Sequence, residues 1–248
     1  ARVIAANQGA LLFGVSIGPA LGGLLADAFG YRVPFHAVGL AAVVAAAYAW
    51  VRLPETQDEA RHGRDEDEDQ GPGSWRDVVG APGFLAVSCM SAAIFLTRAG
   101  GRMTLMPLLG AAALGYSAAG IGTLFTVMAV INLVGLTPAA HVADRFGRRA
   151  AVVPSGLLVA AALGVLALAD SHAAFLGGAL LLAVGTAMVG PAPAAYAADI
   201  APPRLRGLAM GLYRTAGDAG FVAGPVLLGA LADATSIAWA LVANAAIT

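Results

Sequence analysis

The sequence predicts an all-α fold: a polytopic bundle of transmembrane helices. Three observations carry that prediction. Charged residues make up only 12% of the 248-residue chain, against about 25% in a soluble domain. Hydrophobic residues make up 59%, and the mean hydropathy is +0.78. The apolar residues also fall in continuous runs of the length a bilayer crossing needs, about 20 residues. A soluble domain could not hide that much apolar surface, so lipid must cover part of it. Strands of a membrane barrel would alternate apolar and polar residues over about 10 positions, and these runs do not alternate.

Composition also excludes several functions. The net charge is -1, so no bulk basicity points to nucleic acid. Cys89 is the sole cysteine and can form neither an internal disulfide nor a thiolate metal site. His36, His62, His141 and His172 show no ligand spacing, and neither metal nor cofactor is expected. No Gly-x-x-x-x-Gly-Lys-Ser/Thr loop is present for a nucleotide-driven pump. A membrane enzyme would gather His, Cys or carboxylates at one membrane face, and the sequence gathers none.

Seven runs are long enough to cross: Ile4–Ala28, Val33–Val51, Gly83–Leu109, Ala118–Ala140, Ala151–Ala169, Ala173–Ala194 and Leu208–Leu231. An eighth starts near Ser236 and has 13 residues before Thr248. With Ala1 in place of a starting Met, the chain reads as a fragment at both ends. Pro19, Pro107, Pro138, Pro191, Pro193 and Pro225 lie in or near the ends of spans. Membrane helices tolerate them where neighbours satisfy the freed carbonyls, and they predict kinks.

Arginine placement predicts the orientation. One set of loops holds Arg2, Arg52, Arg61, Arg64, Arg76, Arg145, Arg148, Arg149, Arg204 and Arg206, and the opposite set holds Arg32 alone. The arginine-rich face is therefore expected to be cytoplasmic. Residues 52–80 contain the acidic run Asp65 to Asp69 and a Gly71-Pro72-Gly73-Ser74 stretch. Like charges repel and Gly and Pro resist packing, so this segment reads as a solvated linker. Trp75 is expected to mark the return to the interface. The chain thus divides into two helices (residues 1–51), a cytoplasmic linker (52–80) and a six-helix unit (81–248).

An internal repeat underlies that division. Gly14-x-x-x-Gly18-Pro19-x-x-x-Gly23-x-Leu25-Ala26-Asp27 matches Gly220-x-x-x-Gly224-Pro225-x-x-x-Gly229-x-Leu231-Ala232-Asp233, every pair 206 residues apart. Both copies run the same way across the membrane, so the repeat is parallel. If the linker joins two six-helix halves, the first span is the fifth helix, the seventh span is the eleventh, and four helices lie upstream.

These residues resemble a known family. Gly14-x-x-x-Gly18-Pro19-x-x-Gly22-Gly23 resembles the helix-five motif of drug/proton antiporters in the major facilitator superfamily. Ala143-Asp144-Arg145-Phe146-Gly147-Arg148-Arg149 resembles that superfamily's cytoplasmic loop motif, with Ala140 where the family usually has Gly. Asp199 to Arg206-Gly207, leading to Gly224-Pro225, resembles its region between helices ten and eleven. The resemblance implies a secondary transporter in the cell membrane. Its partners would be the lipid bilayer, a small-molecule substrate and protons, and it would export the substrate by proton exchange. Alternatives are a facilitator or symporter, and a receptor or scaffold of the same fold. Gly14, Gly18, Gly22, Gly23, Gly220 and Gly224 allow close backbone approach, as plain packing or as a smooth face on which the halves rock. Topology explains Arg145, Arg148 and Arg149 but not Asp144. Asp144 is therefore expected to latch a cytoplasmic gate, beside the start of the first span or Arg206, with Arg145 or Arg148 approaching Asp199.

Ionisable groups within spans are the remaining candidates. Arg98 and Arg102 are four apart on the third span, and Arg214 and Asp218 are four apart on the seventh. A charge at the bilayer centre costs roughly 3 kcal/mol or more, so each must face a cavity or a partner. Arg98 and Arg102 are expected to face the interior. Asp218 is expected within reach of Arg98 or Arg214, either as a brace within its own helix or as a proton-coupling carboxylate.

Overall fold

The computed structural model describes residues 2–52, 74–189 and 192–248. The side chains of residues 2–13, 15, 16, 144 and 148 fall outside that description, as do Pro191 and the acidic run of the linker. Every regular element among the described residues is helical: α1 (Arg2–Phe29), α2 (Arg32–Arg52), α3 (Trp75–Val79), α4 (Phe84–Leu96), a π-helical segment (Thr97–Leu105), α5 (Met106–Leu114), α6 (Ala118–Phe146), α7 (Arg148–Ala167), α8 (His172–Val189), α9 (Ala192–Ile200), a 3₁₀ turn (Pro203–Leu205), α10 (Arg206–Ala234) and α11 (Ile237–Ile247).

Six helical stretches are long and apolar enough to cross a membrane, among them Arg32–Arg52, Phe84–Leu114 and Pro203–Ala234. The 28 residues of α1 span about 42 Å at about 1.5 Å per residue, and its described apolar part is Ile17–Phe29. Several boundaries differ from the sequence reading, among them the end of α6, which runs on past Ala140 to Phe146. The third span runs on to Leu114, because α4, the π segment and α5 stack end to end. The linker ends in α3, where Ser74 and Asp77 form a reciprocal capping box. That box satisfies free amides at the helix start, and Val78 anchors the turn by burying completely. The helices run on through Pro19, Pro138, Pro154 and Pro225.

The main core lies among the π segment, α5, α6, α7, α8 and α11, with Leu105, Met106, Met128, Leu163, Phe175 and Leu241 fully buried. A second cluster, including Val78, Phe84, Val87 and Leu205, ties α3, α4 and the start of α10 together at the arginine-rich end. Polar side chains join helices where apolar attraction is weak. Ser155 Oγ on α7 donates to the Gly185 carbonyl on α8 at 2.7 Å. Thr186 Oγ1 on α8 donates to Asn132 Oδ1 on α6 at 3.2 Å. No residue of α2 is buried, and side chains such as Trp50, Phe35 and Val51 lie open, as a helix bathed in lipid would have them.

The two copies of the repeat pack differently. On α10, a Cβ added at Gly220 would overlap the Ala92 carbonyl, and one at Gly224 would lie 2.6 Å from the Leu96 carbonyl oxygen. These are the backbone contacts expected of such glycines. On α1, Gly14, Gly18 and Gly22 have nothing within 4 Å of an added Cβ, so the expected close packing is not made there. It is made at the adjoining positions of the same motif, where Gly23 meets Ala118 of α6 and the Pro19 carbonyl meets Gly122. The repeated pattern sets what a face can do; the neighbour decides whether it does it.

Replacing Gly220 with Val should push α10 off α4 and cost about 1–3 kcal/mol, read as a lower unfolding temperature of the purified protein. Gly229→Ala, at a position with open space, should hold or gain stability in the same measurement.

Candidate functional site

The charged residues of the spans gather around the π segment, Thr-Arg-Ala-Gly-Gly-Arg-Met-Thr-Leu. Sequence periodicity did not show this segment. A π turn leaves backbone carbonyls poorly served and is held only by specific contacts. Three such contacts exist. Thr104 Oγ1 donates to the carbonyl of Ala99, five residues back, at 2.9 Å. Thr97 Oγ1 donates to Asn244 Oδ1 of α11 at 2.8 Å. Gly101 has no side chain, and the Asn244 amide lies in the space a Cβ would take. Asn244 is fully buried, and its Nδ2 has no hydrogen-bond partner. A lone asparagine in the apolar run of α11 was the available signal for this contact.

The inner face of the segment is taken by Thr97, Ala99, Gly100 and Gly101, with Gly100 against the Gly224 carbonyl of α10. That occupancy places the two arginines. Arg102 is half-buried, its guanidinium 5.9 Å from the Phe125 ring centroid on α6, and its Nε is enclosed without a hydrogen-bond partner. Arg98 is exposed, which corrects the expectation that both arginines face the interior. Small residues are needed where the third span crosses α10, so the bulky Arg98 is displaced from that crossing.

On α10, Arg214 Nε donates to both oxygens of Asp218, at 3.0 and 3.1 Å. The pair is exposed, with side-chain accessibilities of 67% and 54%. Arg214 also lies 5.4 Å from the Phe95 ring centroid of α4, and Phe95 meets Phe221 edge to face at 6.4 Å. Asp218 thus takes Arg214, not Arg98, as its partner. Arg102 of the π segment thus meets α6 through Phe125, and Arg214 of α10 meets α4 through Phe95.

At the arginine-rich end, Gly147 joins α6 to α7 at φ 86°, a left-handed backbone that favours glycine. Arg145 lies over its neighbour Phe146 at 5.6 Å, and Arg149, Asp199 and Arg206 are exposed. The side chains of Asp144 and Arg148 lie outside the described residues, so the expected latch is not placed. Among the described residues, no group of His, Cys, Asp or Glu is arranged to hold a metal ion.

The family model described as Major Facilitator Superfamily matches residues 1–100 and 92–248 of this chain. No curated protein matches it. Among solved structures it is similar to the human organic anion transporter MFSD10 (TETRAN), with a TM-score of 0.61 and 20% sequence identity. The match covers 72% of this chain and 41% of that one. At this identity the likeness concerns the fold.

The Asn244 contact carries a test. Asn244→Ala should remove the 2.8 Å acceptor of the buried Thr97 hydroxyl, leaving it Thr248 Oγ1 at 3.2 Å, and cost about 1 kcal/mol. Gly101→Ala should drive a methyl into the Asn244 amide. The double variant should lose less than the sum of the two single losses, measured as a thermal-unfolding cycle.

Proposed function

The chain belongs to the Major Facilitator Superfamily, and on that premise we propose that it is part of a secondary transporter rather than an enzyme, exporting a small molecule in exchange for protons. It spans 41% of the length of the transporter structure it matches, so the activity proposed is that of the whole protein. The observation that carries the reading is the set of charged groups within the spans. A bilayer tolerates a guanidinium or a carboxylate only beside a partner or water. The exposed Arg214–Asp218 pair is therefore read as facing a water-filled route. Arg98 and Arg102, on the third span, favour a substrate or counter-ion with negative charge.

In this reading Asp218 is the coupling group. When it takes a proton its charge is lost, and Arg214 is released to turn elsewhere. When it gives the proton up, Arg214 returns, or Arg98 takes its place in the opposite state of the cycle. Two alternative arginine partners give one carboxylate two protonation environments, which coupling requires. The same geometry also favours a second reading. Arg214 and Asp218 are four residues apart on one helix and satisfy each other, as a brace would, and the protein would then be a facilitator or symporter.

The discriminating measurement uses the full-length protein in vesicles with an imposed proton gradient and a panel of labelled organic anions and cations. Wild-type flux should follow the gradient. Asp218→Asn should retain substrate binding and lose the pH dependence of flux. An unchanged pH dependence would mean that Asp218 only braces α10. Arg102→Gln should weaken binding of an anionic substrate by about tenfold or more, from the loss of a charge-assisted hydrogen bond.

A further inference from the structure

We propose that Asp27 is a gating residue of the transport cycle: its carboxylate caps α6 from the end of α1 and so latches the mouth on the face opposite the arginine-rich loops. The proposal rests on the transport reading above for its purpose and on local geometry for its existence.

Helix α6 begins at Ala118, and its first amides have no partner within the helix. Ser117 supplies a local cap, its Oγ accepting from the Gly120 amide at 3.1 Å. The Ala119 amide is taken by Asp27 Oδ2 at 3.0 Å, from 92 residues away in sequence. A carboxylate is favoured there a second time, because it faces the positive end of the helix dipole. The helix thus has one cap that it carries with it and one that exists only while α1 stays in place.

The packing beside this bond makes it a latch. Within one turn of Asp27, a Cβ at Gly23 would lie 2.5 Å from the Ala118 carbonyl oxygen. One turn into α6, Gly122 lies directly against the Pro19 carbonyl. The two backbones touch there. Parting α1 from α6 breaks the Asp27 bond and separates the glycine contacts together. Because the carboxylate is exposed, water replaces its lost partner when the two helices part.

The repeat provides an internal control. Asp233 ends the same Leu-Ala-Asp sequence on α10, is equally exposed, and takes no helix amide among the described residues. The acid at this position does not make a latch by itself; the start of α6 against it does.

The test requires no substrate. The full-length protein, in a Cys89→Ser background, carries spin labels at Tyr31→Cys and Ala113→Cys, one on each side of the mouth, and is placed in lipid nanodiscs. Pulsed electron–electron measurements then give the populations of short and long separations. Asp27→Ala should raise the long-to-short ratio about fivefold, equivalent to about 1 kcal/mol for a lost N-cap. Asp27→Asn, still able to accept the Ala119 bond, and Asp233→Ala should both stay near wild type. An unchanged distribution in Asp27→Ala overturns the proposal, as does an equal shift in Asp233→Ala. A shift confined to Asp27→Ala in a protein that moves none of the panel would uphold the latch and refute the transport reading.

Discussion

Helix α10 touches the third span backbone to backbone, at Gly220 against Ala92 and at Gly224 against Leu96 and Gly100. Most of the site depends on that contact. Two helices in lipid gain little by burying apolar groups against each other, because lipid tails are equally apolar. Close approach through small residues supplies the attraction instead. Here it also dictates the sequence of the crossing face. Gly100 must be small at that crossing, and the arginines near it stand clear of the interface, one exposed and one against Phe125. The same crossing lays Phe95 beneath Arg214 and so fixes where the ion pair of α10 stands.

The π segment follows from the same crowding. An α-helix interrupted by a widened turn must find partners for the groups it strands. Thr104 provides one to the Ala99 carbonyl, and the Thr97–Asn244 side-chain bond ties the segment to α11. The Asn244 side chain fits only because Gly101 leaves room for it. The segment trades regular hydrogen bonding for a fit among its neighbours. Arg102 Nε and Asn244 Nδ2 remain enclosed and without a hydrogen-bond partner. Enclosed donors of that kind are costly in a low-dielectric interior.

A second junction works by different means. Between α1 and α6, two glycine contacts are accompanied by a carboxylate on a helix start. The α4–α10 junction is buried and broad. The α1–α6 junction ends in an exposed hydrogen bond that water can replace.

The sequence alone determined the class, the apolar runs that become the helices and the family resemblance. All of these follow from composition, run length and motif spacing, which are properties of the chain taken in order. It also singled out the ionisable residues of the spans, because a charge in an apolar run stands out whatever surrounds it, and it anticipated the Arg214–Asp218 pair, whose partners are one turn apart. Only the tertiary structure decided the rest. It exposed Arg98, left Gly14, Gly18 and Gly22 open while closing Gly220 and Gly224, widened the third span into a π turn, and set Asp27 on the start of α6. Each of these outcomes depends on which neighbour a face meets across tens of residues. A local pattern can state that a glycine permits contact or that an aspartate can cap a helix. Whether it does so depends on another helix arriving, and that is a property of packing.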